Sequence, residues 1–270
     1  MKIALVQMTS GPDIGVNLAY VDSCIRTAAA EGAQFIATPE NSDFMVDGKD
    51  KKLAMALDEA NHPFLQGLSQ TAQDLGVTIL LGSIAVKVSA NKVANRSYLI
   101  HPDGTIAARY DKIHLFDVDL PTGESRRESE MVAGGHTAVV VPTEWANFGL
   151  TICYDVRFPH LYRTLAKAGA TLLAVPSAFT VPTGEMHWHV LLRARAIENG
   201  AFVIAPAQCG THDGGRKTYG HSLVIDPWGR IIAEGGTEPA LIYADIDMTE
   251  VARFRQAIPS LTHDRDFLLA

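Results

Sequence analysis

Three residues with reactive side chains, Cys153, Glu40 and Lys112, each follow a run of apolar residues typical of a β-strand. Open α/β folds gather functional groups where strands end, so the three side chains are candidates for one site. A thiol needs a base close to it, and a buried carboxylate with a raised pKa can take its proton. A lysine ammonium beside that carboxylate can hold an oxyanion. Together the three residues predict nucleophilic catalysis by a cysteine.

Each of these residues also has an ordinary explanation when it is considered alone. A free cysteine is most often a core residue, and a single glutamate or lysine is most often a solvated surface charge. Cys153 precedes a segment with helical spacing from Pro159 onward. The N–H groups and dipole of such a helix would favour a Cys153 thiolate. The catalytic interpretation therefore depends on the combination.

The elements that must position these residues alternate between strands and helices along most of the chain. Strands are predicted at 2–8, 34–38, 77–84, 93–101, 105–110, 138–141, 148–152, 171–176, 201–207, 222–226, 230–233 and 241–247. Helices are predicted at 16–30, 64–75, 159–168, 184–199 and 250–256, and residues 111–136 form a long irregular segment. Turn signals at 102–104 and 227–229 predict hairpins, which interrupt the alternation. Mixed sheets covered by helices, in one α/β domain, fit this order.

Composition limits the function classes. The chain has 270 residues, of which 47% are apolar, and its formal charge of −7 comes from 23 basic and 30 acidic residues. Without a basic run, this balance argues against nucleic acid or an anionic membrane as the main partner and favours a small molecule. The cysteines Cys24, Cys153 and Cys209 are too far apart to suggest zinc or a disulfide framework. No signal peptide or membrane-spanning run is evident, so we expect a soluble cytoplasmic protein.

Three sequence blocks around the candidate residues resemble the signature blocks of the nitrilase superfamily of carbon–nitrogen hydrolases. The blocks are TPEN at 38–41, DKIHLFD at 111–117 and ICYDVRFP at 152–159. The resemblance extends over nearly the whole chain. It implies a four-layer α-β-β-α sandwich, one carbon–nitrogen hydrolase domain over 1–270, and no metal or organic cofactor. It also implies a homodimer or larger homo-oligomer, and we expect the tail from about residue 258 to take part in its contacts.

The same resemblance implies roles for individual residues. Cys153 would be the nucleophile and Glu40 the general base, and Lys112 would hold the oxyanion together with the Tyr154 backbone N–H. A second, supporting glutamate would be Glu128. Two further glutamates of the same loop lie close to it in sequence, namely Glu124 and Glu130.

The resemblance also indicates a branch of the superfamily. Nitrilases proper usually carry Cys-Trp-Glu at the nucleophile, whereas this chain has Cys-Tyr-Asp at 153–155, which favours an amidase. Residues 179–188 and 191–198 resemble the branch that contains deaminated glutathione amidase and omega-amidase, and 207–210 and 219–222 more closely resemble the former. Both substrates are anionic, so a local basic pocket is expected. The candidate substrate-binding residues are Arg157, Phe179, Thr183 and Arg195, and Arg157 has a structural role as an alternative.

Other histidines and cysteines are interpreted as structural. His114 could be mistaken for the base of the thiol, but packing or loop hydrogen bonding is the better explanation. His187 and His189 are two residues apart on a helix and face apart, so a metal site is not expected there. Cys24 and Cys209 are expected in the core. An inactive scaffold and a thiol–histidine peptidase remain as alternatives from other classes.

Overall fold

The strands of the protein form two six-stranded sheets and two small hairpins in a computed structural model, which describes residues 1–120, 123 and 125–270. The strands are β1 (Lys2–Gln7), β2 (Phe35–Ala37), β3 (Thr78–Lys87), β4 (Val93–Ile100), β5 (Ile106–Asp111), β6 (Asp117–Asp119), β7 (Ser125–Arg127), β8 (Val139–Pro142), β9 (Asn147–Leu150), β10 (Leu172–Ala174), β11 (Phe202–Ala205), β12 (Cys209–Thr211), β13 (Lys217–Tyr219), β14 (Leu223–Ile225), β15 (Ile231–Glu234) and β16 (Ala240–Asp245).

Both large sheets have three parallel strands in the middle and antiparallel strands on either side. The first sheet has the order β16-β1-β2-β3-β4-β5, and β1, β2 and β3 are parallel. The second has the order β15-β14-β11-β10-β9-β8, and β9, β10 and β11 are parallel. The hairpins predicted around 102–104 and 227–229 are the pairs β4–β5 and β14–β15.

Helices connect the parallel strands, because neighbouring parallel strands need a crossover connection. The helices are α1 (Ile14–Ala30), α2 (Lys49–Met55), α3 (Pro63–Leu75), α4 (Pro159–Lys167), α5 (Val181–Asn199) and α6 (Thr249–Ala257). Asp13 caps α1 by accepting a hydrogen bond from the Val16 N–H, and Gly76 ends α3 in a left-handed conformation. Each sheet has two such crossovers, and the helices of the two crossovers lie on the same face of the sheet.

The alternation of side chains along the strands builds four layers. In β1, Ile3 and Leu5 belong to the core between the two sheets, whereas Ala4 and Val6 pack toward α1 and α3. Because successive strand residues point to opposite faces, a strand buried on both faces is apolar throughout. The predicted four-layer α-β-β-α sandwich is confirmed.

Some element boundaries differ from the prediction. α5 begins at Val181 rather than near residue 184, because Pro182 is tolerated in the first turn of a helix. The loop 111–136, predicted to be irregular, contains the hairpin β6–β7 and a short 3₁₀ turn, Glu128–Glu130. Helix α2 and the hairpin β12–β13 were not predicted. Helix α2 buries none of its residues and therefore lacks an apolar stripe that could be recognised in the sequence.

The segment after α6 returns to the body of the protein before the chain ends. Arg163 and Lys167 of α4 form ion pairs with Asp264, and Arg163 also donates to the Ser260 carbonyl. The side chains of 267–269 are fully exposed. In the part of the chain that the structure describes, no helix has the length and apolarity needed to cross a bilayer.

Candidate active site

The strand ends predicted to gather the reactive residues do meet at one place. Glu40 follows β2, Lys112 follows β5, and Cys153 begins a short 3₁₀ turn (Cys153–Arg157) soon after β9. Glu40 and Lys112 are joined by a 2.8 Å ion pair between Oε1 and Nζ, and both are buried. Cys153 lines the same cleft beside them, and both charged groups act on the pKa of its thiol. The structure thus brings the three predicted residues together.

The Glu40 carboxylate is held on both of its oxygens. Oε1 accepts from Lys112 Nζ at 2.8 Å and from Asn95 Nδ2 at 2.9 Å, and Oε2 accepts from the Ala178 backbone N–H at 2.9 Å. Burial alone would raise the pKa of Glu40, but the Lys112 ammonium and its hydrogen bond outweigh burial and lower it below the ordinary value. The expectation of a raised pKa was wrong. Glu40 is therefore an anion in the free protein.

Lys112 lies between two carboxylates. Its Nζ is 2.9 Å from Glu128 Oε2 and 3.1 Å from Glu128 Oε1, in addition to its contact with Glu40. Burial works against the charge, but the two carboxylates overcome it and raise the pKa of Lys112 well above its usual value. Lys112 is thus protonated, and its ammonium group is held in position by hydrogen bonds to the two carboxylates.

Glu128 occupies the position predicted for the supporting glutamate. Besides holding Lys112, its Oε2 accepts from the Phe116 backbone N–H at 2.6 Å, and Asn95 Nδ2 lies 3.3 Å from its Oε1. Glu130, two residues further on, is exposed. Glu124 lies outside the residues that the structure describes. Among the described glutamates of this loop, Glu128 is thus the one that contacts Lys112.

Cys153 is presented by an unusual backbone conformation. Its φ of 48° lies in the left-handed region, which few residues with a side chain adopt, and Asn41 next to Glu40 has a φ of 55°. The Cys153 N–H donates to the Pro176 carbonyl at 3.0 Å and anchors the turn. Burial and the neighbouring Glu40 carboxylate raise the pKa of the thiol despite Lys112. Burial and Glu40 therefore outweigh the expected stabilisation of a thiolate by a following helix, and the thiol form is favoured.

The Tyr154 backbone N–H follows directly after Cys153. Across the described ranges 1–120, 123 and 125–270, no group accepts a hydrogen bond from it, whereas the N–H groups of Cys153 and Asp155 on either side are both bonded. An unpaired N–H beside a thiol can donate to an oxygen of a bound substrate. This geometry agrees with the predicted oxyanion role of Tyr154.

Asp155 ties the Cys153 turn to the Lys112 segment. Its Oδ2 accepts from the Ile152 N–H at 2.9 Å and from the Tyr110 hydroxyl at 2.7 Å. Its Oδ1 accepts from the His114 N–H at 3.0 Å and lies 2.7 Å from His114 Nδ1. The His114 ring also stacks on Phe158, with centroids 3.5 Å apart. His114 therefore has the packing and loop hydrogen-bonding role that was predicted for it.

The reactive groups line a cleft that opens to solvent. Of the predicted substrate-binding residues, Arg157, Phe179 and Thr183 line it. Arg195 does not: its guanidinium is buried elsewhere, donates to the Val156 carbonyl at 2.8 Å and pairs with Glu198 at 2.7 Å. Arg195 thus supports the turn after Cys153 instead of meeting a ligand.

Several cations of the cleft were not predicted from the sequence. They are Lys52 on α2, Arg126 and Arg127 near the β6–β7 hairpin, and Arg216 before β13. Arg216 donates to the Ala178 carbonyl at 3.0 Å, and its buried Nε has no partner within the described ranges. Glycines at 214 and 215 were the available signal, since they mark a tight turn that returns Arg216 toward the cleft.

The Glu40 and Glu128 carboxylates of the cleft already accept hydrogen bonds from protein groups. A group of side chains suited to hold a metal lies elsewhere and consists of His189, His221 and Glu234.

Cys209 is fully buried as predicted, whereas Cys24 is only partly buried at the edge of the helix layer.

Comparison with known proteins identifies the family. The family model described as carbon-nitrogen hydrolase matches residues 2–256. The chain belongs to the carbon–nitrogen hydrolase family. A protein of Synechocystis sp. named deaminated glutathione amidase is 45% identical over 265 residues, which cover 96% of each chain. The predicted superfamily and enzyme class, a hydrolase of carbon–nitrogen bonds other than peptide bonds, are thereby confirmed.

Solved structures of this family share the fold. The omega-amidase NIT3 of Saccharomyces cerevisiae is 36% identical over 99% of this chain and 94% of its own. The yeast Nit3 crystal structure, from branch 10 of the nitrilase superfamily, aligns with a TM-score of 0.86 at 32% identity over 96% of this chain and 94% of that chain. A mutant amidase from Nesterenkonia sp. AN1 aligns with a TM-score of 0.81 at 28% identity, covering 96% and 98%, and shows Michael addition of acrylamide at its active site cysteine.

Proposed function

We propose that this hydrolase is a cysteine-dependent amidase that cleaves a small anionic amide through a thioester acyl-enzyme, with Cys153, Glu40 and Lys112 as its catalytic residues. The observation that carries the proposal is that a buried thiol, an anionic carboxylate and a fixed ammonium adjoin one another at the base of one cleft. A nucleophile, a base and an oxyanion donor are the groups that acyl transfer needs.

The first half-reaction forms the acyl-enzyme. As the Cys153 sulfur bonds to the amide carbon, its proton passes to Glu40, and the carbonyl oxygen becomes an oxyanion that Lys112 and the Tyr154 N–H stabilise. The carbon–nitrogen bond then breaks, and the leaving nitrogen takes the proton from Glu40. Because the raised pKa favours the thiol at rest, the proton of Cys153 has to pass to Glu40 as the sulfur attacks.

The second half-reaction releases the acid. Water gives a proton to Glu40 while its oxygen bonds to the thioester carbon, and the same two donors hold the new oxyanion. The carbon–sulfur bond breaks, the sulfur regains its proton, and the carboxylic acid leaves. Glu128 would keep Lys112 charged and correctly placed throughout, as a positioning residue that does not touch the substrate.

The substrate class that we favour is deaminated glutathione, whose hydrolysis gives α-ketoglutarate and cysteinylglycine. Support comes from the 45% identity to the Synechocystis relative of that name and from the cations that line the cleft. Deaminated glutathione carries a carboxylate at each end, and a cleft lined by several cations can neutralise both. Arg157 and Arg216 are the cations that we propose for this task.

The second candidate substrate is α-ketoglutaramate, which would lose ammonia. The observation that favours it is the likeness to yeast omega-amidase NIT3 in both sequence and structure. This substrate has a single carboxylate and fewer atoms than deaminated glutathione. It would pair with fewer of the cations that line the cleft, and the relative of that name is less similar in sequence, so we place it second.

A hydrolysis panel tests the proposal and separates the two candidates. We expect kcat/KM to be highest for deaminated glutathione, lower for α-ketoglutaramate, and lowest for an N-carbamoyl amino acid and a simple nitrile. A preference for α-ketoglutaramate would move the assignment to an omega-amidase, and activity on the nitrile alone would overturn the amidase proposal.

Cysteine variants separate an enzyme from a scaffold. Cys153→Ala should abolish hydrolysis and labelling by iodoacetamide at that site, whereas the matched control Cys209→Ala should retain both. A folded parent protein that hydrolyses none of the panel and leaves Cys153 unlabelled would favour a scaffold. Full activity of Glu40→Gln combined with loss of activity in His114→Ala would favour a thiol–histidine peptidase.

For the assembly and compartment we keep the expectations of the sequence as proposals. We propose a cytoplasmic homodimer or larger homo-oligomer in which the tail from about residue 258 contributes contacts. The exposed side chains of Phe267, Leu268 and Leu269 support this idea, because apolar residues at the end of a chain gain stability when a partner covers them. Light scattering gives the molecular mass of the assembly for the full chain and for a chain ending at residue 264. We expect the shorter chain to form the smaller assembly.

A further inference from the structure

Outside the cleft, three side chains from separate elements converge on one point of the surface. His189 lies on α5, His221 follows β13, and Glu234 ends β15. Glu234 Oε1 is 2.9 Å from His189 Nε2 and 2.9 Å from His221 Nδ1. Each residue offers one ligand atom, and these atoms all lie within 4.8 Å of one another. None of these residues has a part in the proposed hydrolysis.

The two imidazole rings are held in place by their surroundings. Tyr219 stacks on His221 with ring centroids 4.4 Å apart, and His189 meets the edge of Tyr219 at 6.1 Å. The His221 backbone donates to the Gly236 carbonyl and accepts from Trp188 Nε1 at 2.7 Å. Ligands that are already ordered lose little conformational entropy when an ion binds.

Access and charge also suit a cation. The side chains of His189, His221 and Glu234 are 30%, 24% and 37% exposed, so an ion can reach them from solvent. A second carboxylate, Glu185, acts on Tyr219 together with Glu234 and adds negative charge to the same region.

The chemistry of the donors selects the class of ion. Imidazole nitrogen combined with one carboxylate oxygen suits zinc and its neighbours, whereas calcium and magnesium prefer sites made of oxygen alone. Tetrahedral ligands at about 2.0–2.1 Å from zinc lie roughly 3.3 Å apart, so Glu234 would move a few tenths of an ångström from each histidine. The two histidine nitrogens, which lie within 4.8 Å of each other, would have to adopt the same spacing. The ion would replace the two hydrogen bonds that now join the three side chains.

We propose that His189, His221 and Glu234 form a surface site for a divalent transition metal ion of the zinc type, with water completing the coordination. The site stands apart from the catalytic cleft but adjoins its wall. Trp188, which donates to the His221 carbonyl, also packs on Phe179 at a centroid distance of 4.9 Å. A bound ion would hold the segment behind that wall.

The test uses the full chain carrying Cys153→Ala, because the thiol of the cleft could itself bind zinc. After chelator treatment and its removal, Zn²⁺ is titrated by calorimetry and Co²⁺ by visible absorption. We expect one ion per chain and Co²⁺ absorption bands typical of nitrogen and oxygen ligands. His189→Ala and Glu234→Gln should each weaken binding by roughly tenfold or more.

His221 needs a different substitution, because its φ of 54° lies in the left-handed region. Asparagine tolerates that conformation better than alanine, so His221→Asn removes the imidazole with little backbone strain. An exposed histidine outside the cluster, His136, supplies the control, and His136→Ala should bind like the parent.

Three results would overturn the proposal. One is the lack of saturable binding in the parent, and another is affinity in His189→Ala and Glu234→Gln within about twofold of the parent's. An equal loss in His136→Ala would point to nonspecific binding by surface histidines and would also overturn it. Thermal unfolding without metal identifies any variant that fails to fold, and the remaining variants then decide.

Discussion

Replacing Asp155 by asparagine should weaken the fold and the reaction together. The Asp155 carboxylate is fully buried and is approached by four donor groups. They are the Ile152 N–H, the Tyr110 hydroxyl, and the backbone N–H and Nδ1 of His114. Asparagine offers only one acceptor oxygen, and its NH₂ group would face donors. We expect two of the four contacts to be lost.

The magnitude follows from those contacts. Hydrogen bonds to a charged group contribute about 1.5–3 kcal/mol each, so the loss of two costs roughly 3 kcal/mol or more. We therefore expect Asp155→Asn to lower the free energy of unfolding by about 3–5 kcal/mol. For a chain of this size that is a fall in Tm of roughly 6–20 °C. Asp155→Glu should cost about 1–3 kcal/mol, because its extra methylene must fit a fully buried site.

Thermal unfolding followed by circular dichroism measures the loss, and kcat on the best amide of the panel measures its effect on Cys153. The matched control is Asp245→Asn at an exposed position, which should change stability by no more than about 0.5 kcal/mol. An Asp155→Asn protein with a Tm within 2 °C of the parent and an unchanged kcat would refute the idea that Asp155 holds the two catalytic segments together.

Three further outcomes follow from the same site. Glu40→Gln should lower kcat by roughly 10²–10⁴-fold with an unchanged far-ultraviolet spectrum, and a smaller loss in steady-state assays would speak against Glu40 as the base. Because the pKa of Cys153 is raised, the ultraviolet thiolate absorbance should not differ between the parent and Cys153→Ala near neutral pH; a clear difference there contradicts the thiol assignment. Arg216→Gln should raise KM for an anionic amide several-fold while kcat stays within about twofold, and an unchanged KM would remove Arg216 from the pocket.

The architecture and the reactive centre could be predicted because both have strong local signals. Apolar runs, helical spacing and glycine stops determined the order of most elements. The resemblance placed Glu40, Lys112, Cys153 and Glu128 in one site, and the strand ends indicated the first three. Such signals depend on the chain near each residue, and sequence reasoning handles them well.

The errors arose where the answer depends on the third dimension. Arg157 and Arg195 were both candidates in the sequence, and the structural alternative was given for Arg157. The packing of α5 instead directs Arg195 into the core and leaves Arg157 at the cleft. The pKa directions of Glu40 and Cys153 depend on the buried Lys112 and on each other, which spacing does not show. His189 and Glu234 are 45 residues apart, so the cluster that they form had no local pattern.

The left-handed backbone at Cys153 and Asn41 has a consequence for the order in which the protein loses its properties. An isolated chain avoids this conformation at Cys153 by about 1–2 kcal/mol and at Asn41 by less, so the surrounding contacts must impose it at Cys153. When those contacts loosen, both residues can relax to ordinary backbone while the sheets are still paired. In a denaturant titration, hydrolysis should therefore disappear before the circular dichroism of the strands and helices changes. The working enzyme is thus a narrower ensemble of conformations than the folded protein.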